Sequence, residues 1–176
     1  MPSPKLIGLC GAVGAGKSTV AAVLERVYYY ERYSFATPLK EMLGTLGLTY
    51  KQLYGAEKAT PSPLLLGKTP REAMQALGTA WGREFMGQDF WVNIARTKLP
   101  RFKYAPVVID DVRFPNEVRL IHEMGGVVWE VIGPKRPKTA IDSHISEGQF
   151  LETDATLLND TRNPGDLELC VATALS

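Results

Sequence analysis

Cysteine is scarce: the 176 residues hold two, Cys10 and Cys170. They are too few and too far apart for a disulfide framework or a zinc site. Each is expected to be a small buried apolar residue in a reducing compartment. A long apolar run is missing as well. The longest stretch free of Asp, Glu, Lys and Arg runs from Leu6 to Gly16, well short of the roughly 20 residues of a membrane span. Nor does one sign of charge dominate. Twenty Lys and Arg face nineteen Asp and Glu, a net charge of +1, and the pI is near 7.7. Chains that coat nucleic acid exceed about pI 9, so neither nucleic acid nor a membrane is the expected partner. Met1-Pro2-Ser3-Pro4-Lys5 lacks the basic-then-apolar layout of a secretory leader, and Pro2 stands where myristoylation needs glycine. A cytoplasmic location is expected. Repeats, low-complexity tracts and linker-like shifts are also lacking.

What is present alternates between short apolar runs and helical stripes. Lys5 to Cys10 reads as a buried strand, and Val20, Val23, Leu24 and Val27 recur at helical spacing. A short strand is expected over Tyr33–Phe35, and a helix from Thr37-Pro38 to Leu46. Thr69-Pro70-Arg71-Glu72 carries a stronger start signal: an N-cap Thr, Pro at the first position and Glu completing a capping box. That helix is expected to continue to about Phe85, with another from Asp89. Strands are expected at Pro106–Asp111, Val127–Ile132 and Thr156–Leu158, with helices from Pro115 to Met124 and after Asn163-Pro164. Five strands interleaved with helices predict an α/β fold, a parallel sheet with helices on both faces.

Gly11-Ala12-Val13-Gly14-Ala15-Gly16-Lys17-Ser18 matches G-x-x-x-x-G-K-[ST] between the first strand and the first helix, the context the motif requires. Its glycines let backbone N–H groups curl around a phosphate, and the helix carrying Thr19 points its positive end at the same anion. Lys17 reaches the terminal phosphates and the Ser18 hydroxyl can ligate Mg²⁺. The pattern predicts a P-loop that binds ATP with Mg²⁺. Asp110 and Asp111 end an apolar strand where a metal carboxylate belongs. Side chains alternate along a strand, so one of the two faces the loop. Asp110 is the favoured metal ligand; a helix cap or surface turn is the bland alternative.

A P-loop serves kinases, motors and switches alike. No Asn-Lys-x-Asp guanine reader and no LSGGQ-like segment occurs, which leaves a small phosphotransferase. Such an enzyme gathers arginines around two sets of phosphates. Arg71, Arg83, Arg113 and Arg136 are the candidates, although any single arginine is more often a solvated surface residue. Arg113 lies just past the carboxylate strand, and Arg83 shares a helix with Gln75 and Trp81. Lys135, Arg136 and Lys138 form a basic cluster that reads either as a solvated loop or as a lid over ATP phosphates. Phe35, Trp81, Phe85, Phe90 and Trp91 have the chemistry to stack on a base, yet aromatics at helical spacing are more often core.

Several segments taken together resemble the deoxynucleoside monophosphate kinases of bacteriophages. They are Phe35-Ala36-Thr37-Pro38-Leu39-Lys40, Gln75 to Arg83, Asp111-Val112-Arg113-Phe114-Pro115-Asn116-Glu117, Ser143 to Glu147 and Asn159-Asp160. The resemblance implies a three-layer P-loop fold with a core (1–36, 86–132 and 150–176), a helical monophosphate-binding insertion (about 37–85) and a short lid (about 133–149). It implies transfer of the ATP γ-phosphoryl group to a deoxynucleoside monophosphate in the host cytoplasm, with a homodimer as one possible state. By that resemblance Lys40, Arg71, Gln75, Arg83 and Asp89 line the acceptor site; Phe35 and Trp81, as rings able to stack on a base, and Asp111, as a carboxylate able to orient the acceptor, are expected there from their own chemistry. Arg113 bridges the transferring phosphates, Arg136 and Lys138 belong to the lid, and Asn159 lies near the ATP base. His144 is expected to be structural. Two rivals remain: another P-loop small-molecule kinase, of the dephospho-coenzyme A or phosphomevalonate type, and an ATP-binding regulator without an acceptor.

Overall fold

Leu6–Cys10 (β1) is buried at every position, as a strand covered on both faces must be. The computed structural model describes residues 3–102, 104–133, 151–159 and 164–176, with residues 164 and 165 described by backbone alone. The elements in chain order are β1, α1 (Lys17–Tyr28), β2 (Glu31–Tyr33), α2 (Thr37–Thr45), α3 (Tyr50–Leu53), α4 (Pro70–Ala76), a π-helix (Leu77–Phe85), α5 (Phe90–Lys98), β3 (Val107–Ile109), α6 (Pro115–Glu123), β4 (Val127–Ile132), β5 (Ala155–Leu158) and α7 (Pro164–Leu175), with short 3₁₀ turns between them. The five strands form one sheet in the order β2-β3-β1-β4-β5, parallel throughout. The expected α/β class and all-parallel sheet are therefore present.

Alternation along β1 assigns the layers. Ile7 and Leu9 join Val20, Ala21, Val23 and Leu24 of α1 and Leu167, Val171 and Leu175 of α7 in one core, together with Val108, Trp129, Val131 and Leu157. The Cα of Gly8 turns the other way, toward Ile121 of α6 and Val112. Connections from β1 and β3 run to opposite sides of β1. The carboxyl end of that strand is a topological switch point, the place where open parallel sheets bind ligands.

The chain divides into two compact units, 1–34 with 98–176 and 35–97. The second has its own core of Leu39, Leu43, Leu48, Leu53 and Trp91, with Trp81, Phe90 and Ile94 packed against it. Three rings meet there edge-on or tilted: Trp81–Phe90 at 5.2 Å, Phe90–Trp91 at 4.8 Å and Trp81–Trp91 at 6.1 Å between centroids. Trp91 is buried in that core and Trp81 and Phe90 are partly buried against it, whereas Phe85 is 78% exposed.

Two elements depart from expectation. β2 sits two residues earlier than predicted, because its register with β3 (Glu31↔Val107 to Tyr33↔Ile109) ends at Tyr33. The helix begun at Thr69 carries the predicted reciprocal capping box with Glu72, but α-geometry stops at Ala76 and continues as a π-helix. Its wide turn ends with the Met86 N–H donating to Trp81 O, five residues back, at 3.0 Å. The Trp91 indole N–H donates to Gly78 O at 2.8 Å. That indole lies against Gly82, where any Cβ would collide with it.

No helix among the described residues is long and apolar enough to cross a membrane. Both cysteines are free, Cys10 buried and Cys170 half-buried. Burial, with Glu130 beside it across the sheet, pushes the Cys10 thiol up to about 11; Lys17 pulls it down by less. At pH 8 such a thiol is ionised to about one part in a thousand, and only the thiolate reacts. Ellman's reagent at pH 8 is therefore expected to leave Cys10 unmodified in the native protein and to titrate it in guanidinium. Rapid native modification of Cys10 would contradict this.

Candidate active site

β1 ends at Cys10 and the chain turns through Gly11, Gly14 and Gly16, whose φ values are 126°, 78° and 100°. Gly16 is held there for a second reason: a Cβ would run into the Asn159 side chain. α1 then starts at Lys17 with no side-chain cap and no acidic residue in its first turn. Its own first turn thus supplies no counter-charge to its positive end. The Lys17 ammonium folds over the loop, donating to Gly11 O at 2.6 Å and Ala12 O at 2.9 Å. Ala12, Val13 and Gly14 are exposed at the loop tip, Ala15 is buried, and Ser18 and Thr19 are exposed on the first helical turn.

The strand after the loop's neighbour, β3, separates the two carboxylates. Ser18 Oγ lies 3.5 Å from Asp110 Oδ2, whereas Ser34 Oγ donates to Asp111 Oδ2 at 2.5 Å. Alternation sends Asp110 toward Ser18 of α1 and Asp111 toward Ser34, just past β2. The donor set at Ser18 and Asp110, a hydroxyl and a carboxylate, is hard oxygen of the kind Mg²⁺ takes beside phosphate oxygens. No group of three or more His, Cys, Asp and Glu side chains suited to a metal occurs among the described residues.

The Asp111–Glu117 segment is a turn built around one buried carboxylate. Glu117, 2% exposed, accepts from the Arg113 N–H at 2.7 Å and the Phe114 N–H at 3.1 Å. Pro115 then opens α6. Val112 is buried and Arg113 is half-buried, its backbone clamped by its own helix.

In the 35–97 unit, Arg83 is 6% exposed and donates through Nη1 to Gln88 O at 3.2 Å. The buried Arg71 Nε has no hydrogen-bond partner among the described residues. A guanidinium nitrogen without an acceptor is costly, and an incoming anion would satisfy it. The Lys40 ammonium stands 4.4 Å from the centre of the Tyr54 ring. Gln75 and Asp89 are exposed, Trp81 is half-buried, and Phe35 is buried. At 4% exposure, Phe35 has almost no ring surface open to solvent.

Asn159 sits just past β5, its N–H bonded to Ile132 O at 2.8 Å. Its carboxamide is buried and donates to Ala15 O at 2.9 Å. It braces the phosphate loop from the end of β5. Arg136, Lys138 and His144 lie outside the described residues. Sequence reasoning missed Arg32, whose guanidinium pairs with Asp110. Its only signal is the β2–β3 register, which no local pattern shows.

A family model for deoxynucleotide monophosphate kinases matches residues 68–168. A protein of Acanthamoeba polyphaga mimivirus named as a deoxynucleotide monophosphate kinase is 37% identical over 161 residues, covering 81% of this chain and 80% of that one. The deoxynucleoside-5'-monophosphate kinase of Escherichia phage T5 is 26% identical, covering 81% of this chain and 83% of its own. Among solved structures, a mutant of the Mycobacterium tuberculosis APS kinase CysC aligns over 99% of both chains with a TM-score of 0.45 and 18% identity. The model match over more than half the chain and the mimivirus identity place this protein: it belongs to the deoxynucleotide monophosphate kinase family.

Proposed function

We propose that this kinase takes its phosphoryl group from ATP, held by Gly11–Thr19 with Mg²⁺ at Ser18 and Asp110, and passes it to a deoxynucleoside monophosphate. The observation that carries the donor assignment is the Ser18–Asp110 pair, 3.5 Å apart beside the glycine loop. Mg²⁺, when bound there, supplies charge neutralisation on the phosphates. Lys17, freed from its loop carbonyls, turns its ammonium to the terminal phosphates. Arg113 lies along the same chain segment as the metal carboxylate and meets the transferring group. Lys40, Arg71, Gln75, Trp81, Arg83 and Asp89 are assigned to the acceptor, and the unpartnered Arg71 Nε supports an anion there. Asp111, which accepts from Ser34, is assigned to the acceptor as well. Arg136 and Lys138 are assigned to the donor phosphates.

The reaction needs little proton chemistry. An acceptor phosphate oxygen attacks the γ-phosphorus, the bond to the β–γ bridging oxygen breaks, and ADP leaves with that electron pair. Positioning and charge neutralisation do the rest. A coupled ADP-release assay with dTMP, dGMP, dCMP and dAMP, run beside dephospho-coenzyme A and phosphomevalonate, tests the reading. ADP release is expected to rise with at least one deoxynucleotide and with neither other acceptor. Release that no nucleotide stimulates would overturn it.

A further inference from the structure

Asp110 already has a cationic partner. Arg32 of β2 donates to its Oδ2 through Nη2 at 2.5 Å and Nε at 3.1 Å, and Ser18 Oγ stands near the same oxygen. The third nitrogen, Nη1, lies 3.4 Å from Glu25 Oε2 on α1. The Asp110 side chain is 16% exposed, those of Arg32 and Glu25 33% and 38%. One guanidinium thus spans two carboxylates, with two of its nitrogens spent on the oxygen nearest the serine hydroxyl.

We propose that Arg32 is a positioning residue that acts as a built-in counter-charge for Asp110, competes with the divalent cation for Oδ2, and withdraws to Glu25 when the cation arrives. The inference rests on Asp110 being the metal carboxylate. A half-buried carboxylate beside the loop would, without a cation, repel an incoming triphosphate; Arg32 neutralises it and holds its rotamer. A guanidinium and a divalent ion repel each other on one oxygen, so metal binding breaks the pair. Glu25, already paired with Nη1, keeps the displaced guanidinium from being left without a partner. The free protein is then poor in metal affinity, and the ion arrives with the triphosphate, whose oxygens supply the remaining ligands.

Mn²⁺ binding to the full-length protein in the presence of a non-hydrolysable ATP analogue, followed by electron paramagnetic resonance, tests this without turnover. Arg32→Ala is expected to bind Mn²⁺ roughly five- to tenfold more tightly, the scale of one partly buried ion pair. Arg32→Gln, which keeps a donor but no charge, is expected to show the same tightening and serves if the alanine variant folds poorly. In an Asp110→Asn background, Arg32→Ala is expected to change nothing, since coupled residues lose their interaction together. Unchanged or weaker Mn²⁺ binding in both Arg32 variants would overturn the proposal, as would tightening that persists without Asp110. Failure of the underlying assignment reads differently: Asp110→Asn would by itself bind Mn²⁺ as tightly as the wild type, whatever the Arg32 variants do.

Discussion

Lys17→Ala is expected to lower kcat by about 10²–10³-fold, a barrier increase of about 3–4 kcal/mol, the usual loss for one preorganised group facing developing charge. The ammonium folds over Gly11 O and Ala12 O, so alanine removes two bonds from the loop as well as a charge from the phosphates. Those bonds are partly exposed, and exposed hydrogen bonds contribute little to stability. The glycine dihedrals and the Asn159 strut on Ala15 O keep the loop's shape without Lys17. Nucleotide is therefore expected to bind with a modestly raised Kd, while the chemical step loses far more. Steady-state kinetics with ATP varied at saturating acceptor, beside a thermal melt, separates the two. Near-wild-type kcat would remove Lys17 from the machinery, and a collapsed melt would assign it to the fold.

The features legible in the sequence are those whose physical cause is local. The phosphate loop needs contiguous backbone N–H groups, so its signature is a single run. The capping box at Thr69 closes over three residues, and the Thr69 and Glu72 contacts appear as expected. The all-parallel sheet followed from the alternation of apolar runs and stripes. Where the cause is distant, the pattern was silent. Within the π-helix, Gly78 O takes its bond from the Trp91 indole, thirteen residues away. Asn159 finds Ala15 from 144 residues away. Arg32 reaches Asp110 only because β2 pairs with β3 in one register; a slip of one residue would send it to the opposite face. Asp110 and Asp111 look equivalent in the chain, and their partners, Ser18 and Arg32 for the first and Ser34 for the second, tell them apart.

Arg113→Ala is expected to lower kcat by about 10²-fold while the acceptor KM moves far less. An arginine that bridges a group in flight contributes in the transition state more than in the ground state. The structure makes this substitution interpretable. Glu117 holds the segment through the backbone N–H groups of Arg113 and Phe114, and alanine keeps both. Val112 stays in the core, and Pro115 still opens α6. The melting temperature is thus expected to change little, and lost turnover reports on the guanidinium itself. Glu117→Ala is the contrast. It leaves two backbone N–H groups without their buried acceptor, at about 1–3 kcal/mol for each unsatisfied group, so stability and turnover are expected to fall together. Measured side by side, kcat lost without stability in Arg113→Ala and with it in Glu117→Ala would separate the bridging role from the scaffold. A kcat unchanged in Arg113→Ala would make Arg113 part of the turn and no more.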